Sequence, residues 1–530
     1  MLNFIKSPFK IVLFFATTLL LVNCSSADKF NQKMAQSIPV AKLQKDIDYV
    51  QHKLDRYYPS IDLYIPKQQL DGKFDSLRNA VKQPMTSKEF YFAISPIIAS
   101  VRQGHMTMAQ VPYKLSKKEA KRIKKAGDGP LSQFAYEWLD NKLYVIKNKS
   151  KNDKIKVGTE VVSINKITPQ ELHSKYRKTY TSDGFNTTFL PKIFSKRYAT
   201  FMTYELGVND SLTFIFKQKD SLFSQVISRK KPAEKTKKKV ADSIKVAAKP
   251  IVDKAKLKAD KRYKKVYGFD EKEKEYTKEF KILPEDNSVA VLKIRNFSKG
   301  DYFEIYEDVF DSIKKSKIKA LIIDLRDNPG GRMAEIQNLY SYLTNEKYQL
   351  TKPSVVTSRT SLWRPGVVNK LPKYTYPFVA IGYPIYMGIT YFKANKVADR
   401  VFTYKSKFRK PDKNNFSGKT YVLINGMSFS ASCVLSAALQ QNPNVTFVGE
   451  ETGGALKGTV AGFMPVVKLP NSKLSLRLGL IDIQSVNQSG PDGRGVFPNV
   501  EIKQTIQDKV EKKDPEMEWI MKDINKDVIK

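Results

Sequence analysis

Ala320-Leu-Ile-Ile-Asp-Leu-Arg-Asp-Asn-Pro-Gly-Gly331 and, further along, Tyr421-Val-Leu-Ile-Asn-Gly-Met-Ser-Phe-Ser-Ala-Ser-Cys433 decide how this chain is read. Each starts as a short apolar run of strand length and then breaks. The first breaks into Asn-Pro-Gly-Gly, a loop that exposes backbone N–H groups. The second breaks into small hydroxyl residues that open a helix running from Ala431 to Leu439. A serine at such a junction stands where unpaired N–H groups and the helix dipole favour a developing oxyanion. Free amides and a serine at a strand-to-helix turn are the two parts that acyl transfer needs. Ser428, Ser430 and Ser432 compete for that role, and a plain helix cap accounts for any one of them as well.

Around these motifs the pattern is that of an α/β core. Ser288–Arg295 reads as a strand, Asp301–Lys315 carries aromatic and apolar residues at helical spacing, and Leu321–Leu325 is the next strand. Residues 28 to about 110 read as helices, with Thr86-Ser-Lys-Glu89 as a capping box. From about 130 to 225 short strands take over, among them Leu143–Ile146 and Leu212–Phe216. Residues 351–417, rich in Tyr, Lys and Pro, read as irregular, a lid or active-site surround. The division expected is a helical domain over 28–128, a β-rich domain over 129–225 and a Lys-rich insertion over 226–275. An α/β domain over 276–510 and a charged helix over 511–530 complete it.

Lys6 and Lys10 followed by the apolar run Ile11–Val22 have the layout of an export signal over residues 1–23. Leu21-Val-Asn-Cys24 resembles a lipoprotein processing site, which would make Cys24 a lipid anchor in the cell envelope, at the periplasmic face or cell surface. With Cys24 acylated, Cys433 is the remaining thiol, which excludes a disulfide framework and a cysteine-based zinc site. The formal charge of +39 does not indicate nucleic acid. Between Arg229 and Lys265 there are 16 Lys/Arg against 4 Asp/Glu in a low-complexity stretch. Such a stretch reads as a solvated, partly helical insertion, or as a surface drawn to anionic lipid or polysaccharide.

Two resemblances sharpen this reading. Val157-Gly-Thr-Glu-Val-Val-Ser-Ile-Asn165 resembles the PDZ signature, and PDZ domains bind extended peptide ends by strand addition. The Asp-Leu-Arg-Asp-Asn-Pro-Gly-Gly run, Phe429-Ser-Ala-Ser432 and Val448-Gly-Glu-Glu-Thr-Gly-Gly454 together resemble the tail-specific, or carboxyl-terminal processing, serine proteases. The likeness covers most of residues 40 to 505. It implies an α/β crotonase-like (ClpP-like) catalytic domain, Ser430 as nucleophile, and the N–H groups of Ala431 and of Gly330 or Gly331 as oxyanion donors. It also implies a peptide or protein substrate, no cofactor and no metal.

The base departs from the family pattern. Where the bacterial enzymes carry a lysine stands Ala455, and the nearest, Lys457, comes two residues late, about 6–7 Å away along a strand. A base must lie within about 3 Å of the proton it takes. The tricorn-like branch of the family lacks that lysine and uses a histidine ahead of the PDZ domain, a position that falls on His105 in Gln103-Gly-His-Met-Thr107. Of the other histidines, His52 lies in an amphipathic helix and His173 on an exposed one. That branch also implies a supporting carboxylate, which falls on Asp492 in a Pro-Asp-Gly turn. The expected function is a serine endopeptidase of the envelope acting on unfolded or C-terminal peptide segments. The rival is a non-catalytic envelope binding protein on the same scaffold, suggested by Ala455, by Cys433 in place of the family's Glu, and by Asn499 in place of its Asp.

Overall fold

The two apolar runs become neighbouring central strands. In the computed structural model, which describes residues 26–231, 254–363 and 376–529, Ala320–Asp324 and Lys419–Ile424 run parallel, with Ala320 opposite Lys419 and Asp324 opposite Leu423. They sit in the middle of a six-stranded sheet of order Val500–Glu501, Val445–Gly449, Lys419–Ile424, Ala320–Asp324, Asp286–Ile294, Lys278–Leu283. Only the last strand is antiparallel. Every residue of Ala320–Asp324 is buried, because helices cover both faces of the sheet. A strand enclosed on both sides reads as an unbroken apolar run rather than an alternation.

On one face the helices Tyr302–Lys315, Met333–Ser341 and Ala431–Leu439 pack through Ile305, Phe310, Ile336 and Leu435. On the other, the helix Pro515–Ile529 brings Ile520 and Ile524 against Ile322, Tyr421 and Leu423. The loops after parallel strands emerge at one edge of the sheet, so the Pro-Gly-Gly loop and the serine turn meet there.

Ahead of this domain, the helices Val40–Tyr57, Lys67–Ala80 and Ser87–Ser100 lead to the short strand Thr107–Ala109. The capping box at Thr86 is formed: Thr86 Oγ1 accepts from Glu89 N at 3.3 Å, and Glu89 Oε2 accepts from Thr86 N at 2.7 Å. The β-rich block is an antiparallel five-stranded sheet, Phe134–Leu139, Lys142–Asn148, Glu160–Ile164, Ser211–Gln218 and Ser221–Ser228, in that order. Helices Pro169–Tyr176 and Phe189–Leu206 intervene between its third and fourth strands. Its last strand runs past residue 225, and helix Lys254–Val266 resumes the chain; most of the Lys-rich stretch, like the export signal and Cys24, lies outside the described residues.

Residues 351–417 are less irregular than their composition suggests. Strands Ser354–Val356, Asn395–Ala398 and Val401–Tyr404 join Gly458–Ala461 and Ile481–Gln484 in a second five-stranded sheet, and Tyr376–Lys393 is a helix. That helix has no polar face to mark its period, and Phe378, Ile381, Ile385 and Phe392 stand exposed along it. Among the described residues no helix is long and apolar enough to cross a membrane.

Candidate active site

Ser430 is the last residue before the helix Ala431–Leu439, and its backbone sits at φ 57°, ψ −120°. That region costs a residue with a side chain about 1–3 kcal/mol. The conformation turns the hydroxyl away from the capping position and leaves the helix without a side-chain cap. The other two serines are bound into the scaffold. Ser428 Oγ donates to the carbonyl of Leu325 at 2.8 Å and accepts from Asn425 N at 3.0 Å. Ser432 Oγ donates to the carbonyl of Asn328 at 2.9 Å. Both contacts stitch the serine turn to the Pro-Gly-Gly loop. The Ser430 hydroxyl instead lies 3.1 Å from His105 Nε2.

His105 is delivered by the loop between helix Ser87–Ser100 and strand Thr107–Ala109, which is anchored by pairing of Thr107 with Arg477. The Gly104 N–H donates to Asp183 Oδ1 at 2.7 Å, and Gln103 Oε1 accepts from Val460 N at 3.3 Å. The imidazole stacks on Phe429 at 4.8 Å, and its Nδ1 lies 3.1 Å from Thr459 Oγ1. Burial, and then the Arg477 charge, push the His105 pKa down to about 3, so the ring is neutral at physiological pH.

Asp492 does not face the histidine. Its side chain is 82% exposed and pairs with Lys457 at 2.6 Å, a contact that also holds Lys457 in a different pairing from the one a base for Ser430 would need. The turn it occupies has another task, because Gly493 accepts at its carbonyl from Phe185 N at 2.7 Å and so seats the segment that follows Asp183. Asp183 is a fully buried carboxylate held by the N–H of Gly104, the residue before the histidine. Burial raises its pKa to about 6, while the Gly104 N–H, the Thr459 hydroxyl and the Ala455 N–H act to lower it. Its Oδ2 completes no hydrogen bond of ordinary geometry. Sequence reasoning missed both Asp183 and Thr459. Asp183 reads as one more acidic loop residue in Ser182-Asp-Gly184, and a threonine inside a strand carries no signal of its own.

The Gly330 N–H donates to Asn328 Oδ1 at 2.9 Å and is therefore unavailable as an oxyanion donor. Gly330 serves instead by its lack of a side chain: a Cβ there would lie 2.7 Å from Ala431 N and 2.8 Å from Ser430 Cβ. Among the described residues the N–H groups of Gly331 and Ala431 have no hydrogen-bond acceptor. Cys433 Sγ contacts Thr452 Oγ1 at 3.2 Å and the Gly454 carbonyl at 3.0 Å, and burial pushes its thiol up to about 12. Asn499 Oδ1 accepts from Phe447 N at 2.7 Å, so it ties down a strand end. His52 is exposed on its helix, and His173 stacks on Trp138 at 4.8 Å. Among the described residues no group of three His, Cys, Asp or Glu could hold a metal ion.

Comparison with known proteins places the family and the fold. Residues 288–502 match Peptidase family S41. Over 175 residues the chain is 28% identical to the carboxy-terminal processing protease CtpA of Bacillus subtilis (strain 168), a stretch that covers 33% of this chain and 27% of that protein. Two solved structures share the fold at 14% identity. Mature CPAF complexed with lactacystin has a TM-score of 0.54, covering 89% of this chain and 96% of its own. A CPAF variant has a TM-score of 0.58, covering 89% and 95%. The resemblance read from the Asp-Leu-Arg-Asp-Asn-Pro-Gly-Gly and Phe-Ser-Ala-Ser motifs thus has its counterpart in the family match, and the chain carries a Peptidase family S41 domain over residues 288–502.

Proposed function

We propose that this chain is a serine peptidase of the cell envelope, with Ser430 as nucleophile and His105 as base. The 3.1 Å contact between Ser430 Oγ and His105 Nε2 carries the reading. Nε2 takes the Ser430 proton as Oγ attacks the scissile carbonyl, and the oxyanion is held by the Gly331 and Ala431 N–H groups. The imidazolium then gives that proton to the leaving amine, which frees the acyl-enzyme for attack by water. For Nε2 to accept, the ring must carry its proton on Nδ1, where Thr459 Oγ1 at 3.1 Å accepts it. The threonine hydroxyl is then free to donate toward Asp183, whose carboxylate supports the positive charge that forms. The side chains in the family's Glu and Asp positions have structural contacts of their own, at Cys433 and Asn499, and so do not argue for lost catalysis.

In this reading the antiparallel sheet acts as a PDZ-like domain presenting an unfolded or C-terminal peptide, Cys24 anchors the chain in the envelope, and residues 229–265 contact an anionic surface. Replacing Cys24 by alanine should release the chain from the membrane fraction; retention there would remove the anchor. The central test is Ser430→Ala, which should abolish both peptide hydrolysis and fluorophosphonate labelling of the purified chain. Full activity in that variant would overturn the assignment. A wild type that binds peptides yet neither hydrolyses nor labels would establish the binding-protein alternative.

A further inference from the structure

A cavity of about 1120 Å³ is lined by segments that adjoin the candidate site in sequence, although neither Ser430 nor His105 lines it. Met333 follows the Pro-Gly-Gly loop, Gly462 lies three residues beyond Thr459, and Arg477 pairs with Thr107, two residues after His105. The walls are largely apolar, with Phe463 and Leu480 among them, yet Lys405, Lys407, Arg409 and Arg477 also line the cavity and, among the described residues, no aspartate or glutamate does. Among the described residues none of these four forms an ion pair.

Arg477 is the telling one. It is half-buried, and among the described residues its guanidinium hydrogen-bonds the Met464 thioether alone, at 2.9 Å. A second guanidinium, Arg197, is near enough for like-charge repulsion, and it too has no carboxylate partner among the described residues. Two partly desolvated cations in each other's field are unfavourable unless an anion joins them. A guanidinium fork is matched by a carboxylate, bound through two parallel N–H···O contacts.

From this we infer that the cavity is a specificity site for an acidic side chain of the peptide, an Asp or Glu flanked by apolar residues, received by Arg477. The inference rests on the peptidase reading for its biological sense, but the binding it predicts does not require catalysis. Cations at the rim draw the acidic segment in, apolar walls take its neighbours, and the carboxylate meets Arg477 close to the reacting groups.

The test is binding of a fluorescent peptide to the full chain carrying Ser430→Ala, read by anisotropy. The peptides are blocked at both ends and contain Leu-Glu-Phe or Leu-Gln-Phe. The Glu peptide should bind about tenfold more tightly at low salt, with the advantage shrinking as salt rises. Arg477→Met should bring the Glu-to-Gln ratio near one, and Arg477→Glu should shift preference toward a Leu-Lys-Phe peptide. If Arg477→Met does not fold, the exposed pair Lys407→Met and Arg409→Met should reduce the same ratio. Equal binding of Glu and Gln peptides, or a preference that follows a free C-terminal carboxylate whatever the side chain, would overturn the inference. Loss of hydrolysis in otherwise wild-type chain with the Glu preference intact would count against the peptidase reading alone.

Discussion

Replacing Thr459 by valine removes one oxygen and little else. Thr459 is 5% exposed on the strand Gly458–Ala461, and its hydroxyl is the group 3.1 Å from His105 Nδ1. Valine keeps the branched shape, so the strand and its pairing with Ile481–Gln484 should survive, at a stability cost of about 1 kcal/mol for the lost hydrogen bond. Catalysis loses more. In the resting state a neutral Nδ1–H goes unpaired, whereas in the transition state an imidazolium does, inside a buried site. A hydrogen bond to a charged group contributes about 1.5–3 kcal/mol, and each 1.36 kcal/mol is a factor of ten in rate. The fall in kcat should therefore be about 10- to 150-fold, with KM nearly unchanged because no substrate contact is lost. Thr459→Ser, which restores the oxygen, should recover most of the rate. Steady-state hydrolysis of a peptide together with the rate of fluorophosphonate labelling measures the effect. A folded Thr459→Val enzyme with wild-type kcat would refute the hydroxyl's part in the mechanism and leave Asp183 without a route to the histidine.

Asp183, raised to about 6 by burial, should lose its negative charge as pH falls through 6, so kcat should fall there too; His105, pushed down to about 3, is already neutral throughout. Asp183→Asn should lower the plateau rate and flatten that limb, and a limb that persists in the variant belongs to another group. The stability effect has the opposite sign, since the folded state holds this proton more tightly than the unfolded chain: Asp183 contributes stability at pH below its unfolded value of 3.8, and that contribution is lost as pH rises to about 6. Cys433, its thiol pushed up to about 12, should resist alkylation in the native protein and react on unfolding, as mapped by mass spectrometry, and rapid native labelling would contradict its burial. Gly493→Ala places a Cβ 2.7 Å from the Phe185 ring at a backbone φ of +67°, at a strain of about 1–3 kcal/mol. It should lower kcat more than it lowers the melting temperature, and an unchanged kcat would detach this turn from the placement of Asp183.

The sheet and the serine turn were legible because both rest on local signals, which left Ser428, Ser430 and Ser432 in competition until the family resemblance singled out Ser430. A strand covered on both faces writes itself as Leu-Ile-Ile, and a turn in which a Cβ at position 330 would lie 2.7 Å from Ala431 N writes itself with glycine there. His105 was singled out by the resemblance of Gln103-Gly-His-Met-Thr107 to the tricorn-like branch, helped by scarcity, since the chain has 3 histidines. The carboxylate proposed to support the histidine was not legible, because its place depends on how two distant segments dock. Asp492 and Asp183 look alike in sequence, each an aspartate before glycine in a loop. In the fold one is exposed beside Lys457 and the other is fully buried, held by the Gly104 N–H. The helix Tyr376–Lys393 was missed because an almost wholly apolar helix has no period to read.

The site is assembled across the chain, and this accounts for the missing lysine. The family match begins at residue 288, yet His105 and Asp183 lie ahead of it. They are brought in by backbone and side-chain contacts with the S41 domain: Thr107–Ala109 pairs with Ser475–Arg477, Asn186 Nδ2 donates to the Thr452 carbonyl at 2.8 Å, and Phe185 N donates to Gly493. Once that segment is seated, Ala455 stands beside the Asp183 carboxylate, with its N–H acting on it and the residue only 3% exposed. A lysine at this position would have to fit its four-carbon stem and charge into closed space, where it would compete with Thr459 for the same carboxylate. On the proposed mechanism, a lysine base and an Asp–Thr–His arrangement would therefore be alternative uses of one volume. The small side chain at 455 fits the second use, in which, on the proposed mechanism, the proton acceptor would come from the helical region and the S41 domain would supply the serine, the oxyanion donors and the threonine between them.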